Sequence, residues 1–301
     1  MKILRADHLG MCFGVRDAIA LARHASHAGP LTILGDLVHN ETVLEELRSR
    51  GVRIARSLED AATRELMITA HGASFAAIQA AKERGFAVTE ATCPLVRSAH
   101  RALASLVEAS CHPIIIGKRD HVEVRGMTED LAECDVVLTG ADVFEIFEHP
   151  RFGVVAQTTQ PIERVEYLVG LLRWRFPCSE VRFIDTVCQP TKQRQRAAVE
   201  LAIRADVVIV VGGDNSNNTR ELVRTCGRHC GRVHHIQYAG ELDPTWVAEA
   251  GIVGLTAGTS TPDEIVNEVE QRLQQLATAP DQSAYQEEEM EHGKKLAAGA
   301  L

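Results

Sequence analysis

Three cysteines stand where a short apolar run gives way to a helical pattern. They are Cys12 in Gly-Met-Cys-Phe-Gly-Val, Cys93 in Glu-Ala-Thr-Cys-Pro and Cys188 in Asp-Thr-Val-Cys-Gln-Pro. The second and third share a layout of acid, Thr, Cys and Pro ahead of a long helix. A thiolate at a helix N-terminus is favoured by the dipole there. Three thiolates would satisfy three irons of a cubane cluster and leave the fourth open, whereas pure electron carriers use four protein ligands. An open iron acts as a Lewis acid towards a substrate oxygen. The spacing fits neither a zinc ribbon nor a ferredoxin run. Two competing readings stay open at this level: each Cys is a small buried hydrophobe, or the three hold a structural zinc.

Three histidines follow strand patterns directly: His39 in Val-His-Asn, His71 in Ala-His-Gly and His121 in Asp-His-Val-Glu. A lone histidine is mostly structural, but three in equivalent corners, with cationic character, suit a diphosphate. The Gly213-Asp-Asn-Ser-Asn-Asn-Thr219 and Gly258-Thr-Ser-Thr-Pro262 stretches offer hydroxyls, amides and free N–H groups at helix starts. That is equipment for an anion, with plain helix capping by Ser260 or Thr261 as the competing reading. Neither stretch matches a Walker loop or a dinucleotide fingerprint. Glu123, two residues from His121 in a glycine-bounded loop, is the carboxylate placed for proton transfer. Cys226-Gly-Arg-His-Cys230 lies at a helix end and is read as structural.

The elements that must position these groups are short apolar strands alternating with helices. Leu31-Thr-Ile-Leu, Glu65-Leu-Met-Ile, His112-Pro-Ile-Ile-Ile, Gly153-Val-Val-Ala, Val207-Val-Ile-Val-Val and Gly251-Ile-Val-Gly-Leu are examples. Such alternation predicts parallel sheets covered on both faces, with ligands at the carboxyl ends of the strands. The threefold recurrence of strand, polar corner and helix predicts an α/β fold of three related units. Residues 1–93 would form the first, with the N-terminal strand and two of the cysteines, 94–188 the second and 189–277 the third. Residues 278–301 carry the acidic run Glu287 to Glu291 without apolar period and are expected to be poorly ordered.

At 301 residues, 45% hydrophobic and 24% charged, the chain reads as an ordinary globular protein. Aromatics at 4% and a net charge of -9 exclude a stacking or basic platform for nucleic acid. The longest apolar runs are too short to cross a bilayer, and the N-terminus goes straight into a strand pattern, so a cytoplasmic location is expected. Eight cysteines in a chain this long, in a reducing compartment, do not read as a disulfide framework.

Taken in order, these corners resemble the LytB/IspH family, the 4-hydroxy-3-methylbut-2-enyl diphosphate reductases. The likeness runs from Gly10 to about Leu273 and rests on the Cys, His, Gln157-Thr-Thr, Ser216-Asn-Asn-Thr and Gly258-Thr-Ser-Thr-Pro motifs. It implies a trefoil of three α/β units with short parallel sheets around a central iron–sulfur cluster, a 4Fe-4S group held by Cys12, Cys93 and Cys188 with one iron open. It implies the last step of the non-mevalonate isoprenoid pathway, in which an allylic hydroxyl leaves as water and isopentenyl and dimethylallyl diphosphates form. His39, His71, Ser216, Asn217, Asn218 and Ser260 would hold the diphosphate, and His121 would support that end of the pocket. Thr158 and Glu123, acting with His121, would handle the hydroxyl and its proton. Ferredoxin or flavodoxin is the implied electron donor, and a monomer is expected, with no nucleic acid or membrane as partner. Asn217 stands where many members have a second Ser, and Val122 where a Pro commonly separates His and Glu. These departures leave a paralogue, a hydro-lyase or an iron–sulfur sensor on a related diphosphate, as the alternative.

Overall fold

A computed structural model describes residues 1–278; the expectation of disorder in the tail concerns residues almost wholly outside the described ones. The chain opens with β1 (Lys2–Arg5) and α1 (Phe13–Ala28). It continues through β2 (Leu31–Leu34), α2 (Glu41–Ser49), β3 (Arg53–Ala55), β4 (Glu65–Ile68), α3 (Phe75–Glu83) and β5 (Ala87–Glu90). The middle third holds α4 (Pro94–Glu108), β6 (His112–Ile116), α5 (Val122–Thr128), β7 (Asp135–Val137), α6 (Gly140–Phe144), β8 (Arg151–Ala156), α7 (Ile162–Arg175) and β9 (Glu180–Phe183). The last third holds α8 (Gln189–Arg204), β10 (Val207–Val211), α9 (Asn217–Gly227), β11 (Val233–Ile236), β12 (Ile252–Ala257) and α10 (Asp263–Thr278).

The strands make three four-stranded parallel sheets, ordered β3-β2-β4-β5, β7-β6-β8-β9 and β11-β10-β12-β1. The three orders are the same: in each, the second strand of the set lies outside the first, and the third and fourth follow on the other side. In such a sheet the connections diverge between the first and third strands, opening a crevice at their carboxyl ends. Each unit therefore offers one crevice, after β2 and β4, after β6 and β8, and after β10 and β12.

The N-terminal strand, expected in the first unit, is instead the edge of the third sheet, where Lys2 to Arg5 align with Ile252 to Leu255. Its register pairs residues 250 positions apart, which no local pattern reveals. From that edge α1 passes to the first sheet, placing Ala18, Ile19 and Ala22 against Ile33 and Met67. The other two units hand the chain on alike. From β5, α4 packs Leu103 and Leu106 on Ile115 and Val155 of the second sheet, and from β9, α8 packs Ala198 and Leu201 on Val208 and Val210 of the third.

Both faces of the sheets are covered, which is why their central strands read as unbroken apolar runs. In the second sheet Ile114, Ile116 and Val154 meet α7 through Val165, Leu168 and Leu172, while the alternate Ile115 and Val155 meet α4. Glycine lets the handover helices come close. A Cβ at Gly153 would lie 2.7 Å from that of Leu106, and one at Gly254 would lie 2.9 Å from Cγ of Leu201.

Candidate active site

The three cysteines are the N-cap residues of the three handover helices, Cys12 of α1, Cys93 of α4 and Cys188 of α8. None of the three sulfurs caps its helix through a backbone N–H; Sγ of Cys188 donates to Thr191 Oγ1 at 3.1 Å. Each backbone N–H donates to a carbonyl in the corner after the neighbouring strand. Cys12 reaches Thr259 O at 3.1 Å, Cys93 reaches Ala70 O at 3.0 Å and Cys188 reaches Thr158 O at 3.0 Å. Those corners carry Ser260, His71 and Thr158, so one hydrogen bond per unit ties a cysteine to the corner of an expected substrate-binding residue. Gly14, two residues past Cys12, makes room for a second sulfur: a Cβ there would lie 2.4 Å from Sγ of Cys93. Burial pushes the Cys93 thiol up and the Cys188 thiol up to about 11, and the nearby Cys12 and Glu123 add to both.

The histidines come together from two units. Ring centroids of His39 and His71 are 4.3 Å apart and stacked, and His121 stands edge-on at 5.3 and 5.5 Å. Both ring nitrogens of His39 and Nδ1 of His71 are buried without a partner, which marks a wall made for a ligand. The rings are not cationic as they stand. Burial lowers the pKa of all three, that of His71 well below the usual value and that of His121 to about 3, and mutual repulsion lowers His71 and His121 further. Cationic character therefore awaits an anion. One nitrogen from each ring lies within 4.8 Å of the others, a spacing that a metal ion would also accept. His121 decides between the two. Its Nδ1 accepts from the N–H of Glu123 at 3.1 Å, capping α5, which keeps the neutral ring's proton on Nε2. A ring that presents N–H suits an anion and not a cation.

The third unit closes the wall. Ser216 caps α9 by accepting from Thr219 N at 3.3 Å, and Ser260 donates to the carbonyl of His39 at 3.0 Å. Asn218 accepts from Thr259 N at 3.0 Å, leaving its buried Nδ2 without a partner. Asn217 donates instead to Thr159 Oγ1 at 3.3 Å. Gly213 presses on the first unit, since a Cβ there would lie 2.7 Å from His39 O. The cavity bounded by His39, His71, His121, Ser216, Asn218 and Ser260 holds about 30 Å³. That is roughly the space of one water.

Glu123, two residues past His121, is 1% exposed, with Oε1 accepting from Thr158 N at 2.7 Å. Burial raises its pKa to about 7, against the pull of the hydrogen bonds from Thr158. A carboxyl balanced near neutrality can both give and take a proton.

One residue escaped the sequence reading. Arg194 on α8 is 7% exposed, donates from Nε to Gly10 O at 2.9 Å and from Nη1 to Pro190 O at 3.0 Å, and lies close enough to Cys12 and Cys188 to feel their charges. It stands on the buried stripe Thr191, Arg194, Gln195, Ala198, Leu201 and Ala202. A cation on the inward stripe of a helix that starts at a cysteine was the available signal.

The family model described as LytB protein matches residues 3–274. The chain belongs to the LytB family. Among similar proteins, the 4-hydroxy-3-methylbut-2-enyl diphosphate reductase of Pelobacter propionicus is 36% identical over 278 residues, covering 92% of this chain and 99% of that protein. The enzyme of the same name from Aquifex aeolicus is 35% identical over 283 residues, covering 92% and 97%. A solved structure of (E)-4-hydroxy-3-methyl-but-2-enyl diphosphate reductase, the terminal enzyme of the non-mevalonate pathway, is 35% identical and superposes with a TM-score of 0.66 over 91% of this chain and 99% of its own. The structure of the E-1-hydroxy-2-methyl-but-2-enyl-4-diphosphate reductase from Plasmodium falciparum is only 26% identical yet superposes at 0.85, over 93% and 88%. Like these LytB relatives, the chain is α/β with three short parallel sheets. Among the described residues no helix is long and apolar enough to cross a membrane.

Proposed function

We propose that this LytB protein reductively dehydroxylates 4-hydroxy-3-methylbut-2-enyl diphosphate to isopentenyl and dimethylallyl diphosphates, the last step of the non-mevalonate pathway. The observation that carries this reading is the unpartnered imidazole wall at one small cavity, with the buried carboxyl of Glu123 two residues from His121 and the N–H groups of the three N-cap cysteines bonded to the corners that carry Ser260, His71 and Thr158.

Cys12, Cys93 and Cys188 are the residues that would hold the family's iron–sulfur cluster, a 4Fe-4S group with one iron left without a protein ligand. The chain fits it: three sulfurs without capping bonds, a cradle at Gly14 that a side chain would fill, and Arg194 close by to offset thiolate charge. Burial disfavours bare thiolates here, and a bound metal reverses that by deprotonating its thiols. Such a cluster supplies a Lewis acid and a path for electrons.

The protein side chains do the rest. His39, His71 and His121 face the diphosphate from the first and second units; Ser216, Asn217, Asn218 and Ser260 face it from the third. Neutral rings take up protons as the anion arrives, so binding and charge build together. Thr158 orients the substrate hydroxyl, and Glu123 gives the proton that lets its oxygen leave as water, with His121 holding the start of α5 in place. The balance is two electrons and two protons, one proton leaving in the water and one ending on carbon. Electrons come from a ferredoxin or flavodoxin, and a monomer suffices, because one chain supplies all these groups.

The test is anaerobic. The cluster-loaded protein should oxidise dithionite-reduced viologen only when the allylic diphosphate is present, two electrons for each water lost. Loss of water without consumption of reductant would make it a hydro-lyase, and binding without either reaction would leave it a sensor.

A further inference from the structure

The closed space of about 30 Å³ at the histidines does not stand alone. A cleft of about 570 Å³ lies outside it, and His39 and His121 line both spaces. These two rings are therefore the partition between the outer cleft and the inner site. A ligand approaching the histidines from this side meets the cleft first.

The cleft carries one unpaired cation from each unit. Arg56 follows β3 in the first, Lys118 follows β6 in the second and Arg220 sits in the first turn of α9 in the third. None of the three makes a side-chain ion pair among the described residues; Arg220 donates only to Asn215 O, at 3.2 Å. The other charges lining the cleft are Asp36, Asp120, Arg125 and Glu129, and the last two pair with each other at 3.3 Å. Lys118 and Arg220 act on the partition itself. After burial, their charges disfavour protonation of His39 and His121, with Asp36 acting in the opposite sense on His39. The chain as a whole carries a formal charge of -9, so an incoming anion is repelled everywhere that local cations do not outweigh that field.

We propose that Arg56, Lys118 and Arg220 form a capture site that takes up the diphosphate in the outer cleft before the histidine partition admits it. This inference rests on the proposed substrate being a diphosphate. It assigns the three cations to association and leaves the chemical step to Glu123 and Thr158.

The experiment compares wild type with Lys118→Met, Arg220→Met and the double variant in cluster-loaded protein, with Arg101→Met, an exposed cation on α4 outside the cleft, as the charge control. At low ionic strength the double variant should lose about tenfold or more in kcat/KM, the range expected of electrostatic steering, with kcat held within about twofold. Its dependence on salt should flatten, Lys118→Arg should restore the rate, and Arg101→Met should behave as wild type. An unchanged kcat/KM would overturn the proposal. So would a fall in kcat matching the fall in kcat/KM with the salt dependence intact, because the cations would then act in the closed site. Calorimetry with inorganic diphosphate keeps the two readings apart. If wild type turned over no allylic diphosphate, the functional reading would fail, while weaker binding of inorganic diphosphate by the double variant would still support the capture site and equal binding would refute it.

Discussion

The two halves of the site are built on the same threefold frame and treat it in opposite ways. At the ends of β1, β5 and β9 the three units carry the same residue in the same place, a cysteine at the N-cap position of a handover helix. One strand further in, after β12, β4 and β8, equivalent corners carry Ser260, His71 and Thr158. Beyond those, after β10, β2 and β6, the helix caps are Ser216, Asn40 and His121. Sequence symmetry survives where the expected ligand is itself nearly symmetric, a cube offering three like corners. It is lost where the ligand has a diphosphate at one end and a hydroxyl at the other. On the proposed reading the anion wall comes from the first and third units with His121 of the second, and the acid from the second alone.

The comparison can be broken most severely at the cysteines. Changing Cys12, Cys93 or Cys188 to Ser should in each case abolish turnover and strip most of the iron, to the same extent at all three positions, as read by iron and labile-sulfide content. One cysteine that proved dispensable would end the equivalence.

Next in size is Glu123→Gln, expected to lower kcat by about 10²–10⁴ while affinity for inorganic diphosphate stays near wild type. The same variant has a sign to check in stability. Because the folded pKa is raised from 4.5 to about 7, the folded state holds the proton more tightly and loses stability as pH rises through that window. Thermal melts should therefore show Glu123→Gln equal to wild type near pH 4 and more stable near pH 8.

Equivalent corners should then fail differently. His71→Ala should weaken diphosphate binding by roughly 10–100-fold, the scale of a lost hydrogen bond to a charged group, with kcat changed much less. Thr158→Ala, at the matching position of the second unit, should lower kcat with little change in diphosphate affinity. Steady-state kinetics with calorimetry separates the two patterns, and matching patterns would show that the units have not divided the work.

The smallest effect is a pH dependence confined to the histidine wall. Folded pKa values lowered below 6.5 mean that the unfolded chain takes up protons first on acidification, so stability is present above about pH 6.5 and lost below it. Diphosphate should reverse the trend by raising those pKa values. Melts at pH 5.5 should show a larger stabilisation by diphosphate than melts at pH 7.5, and His39→Gln should shrink the difference.

Much of this was legible because the informative residues are local. The apolar runs from β2 to β12 with both faces buried announced themselves, and so did the polar corners that follow them. The edges were harder. β3, with sequence Arg-Ile-Ala, and β11, with Val-His-His-Ile, lack a continuous apolar run because an edge strand is only half covered. The place of β1 in the third sheet depends on partners 250 residues away, and Arg194 depends on a tertiary approach to Gly10. The neutral state of the histidines is likewise a property of their burial and mutual closeness, which spacing along the chain does not express.

The placement of β1 also bears on when the site can exist at all. Cys12 is made early, but the carbonyl that anchors its N–H belongs to Thr259, and the strand beside it begins at Ile252. On the ribosome the first and second sheets can be complete while the first cysteine still waits for its neighbour. The three cysteines proposed to hold the cluster can therefore all be anchored only after β12, the last strand among the described residues, has emerged.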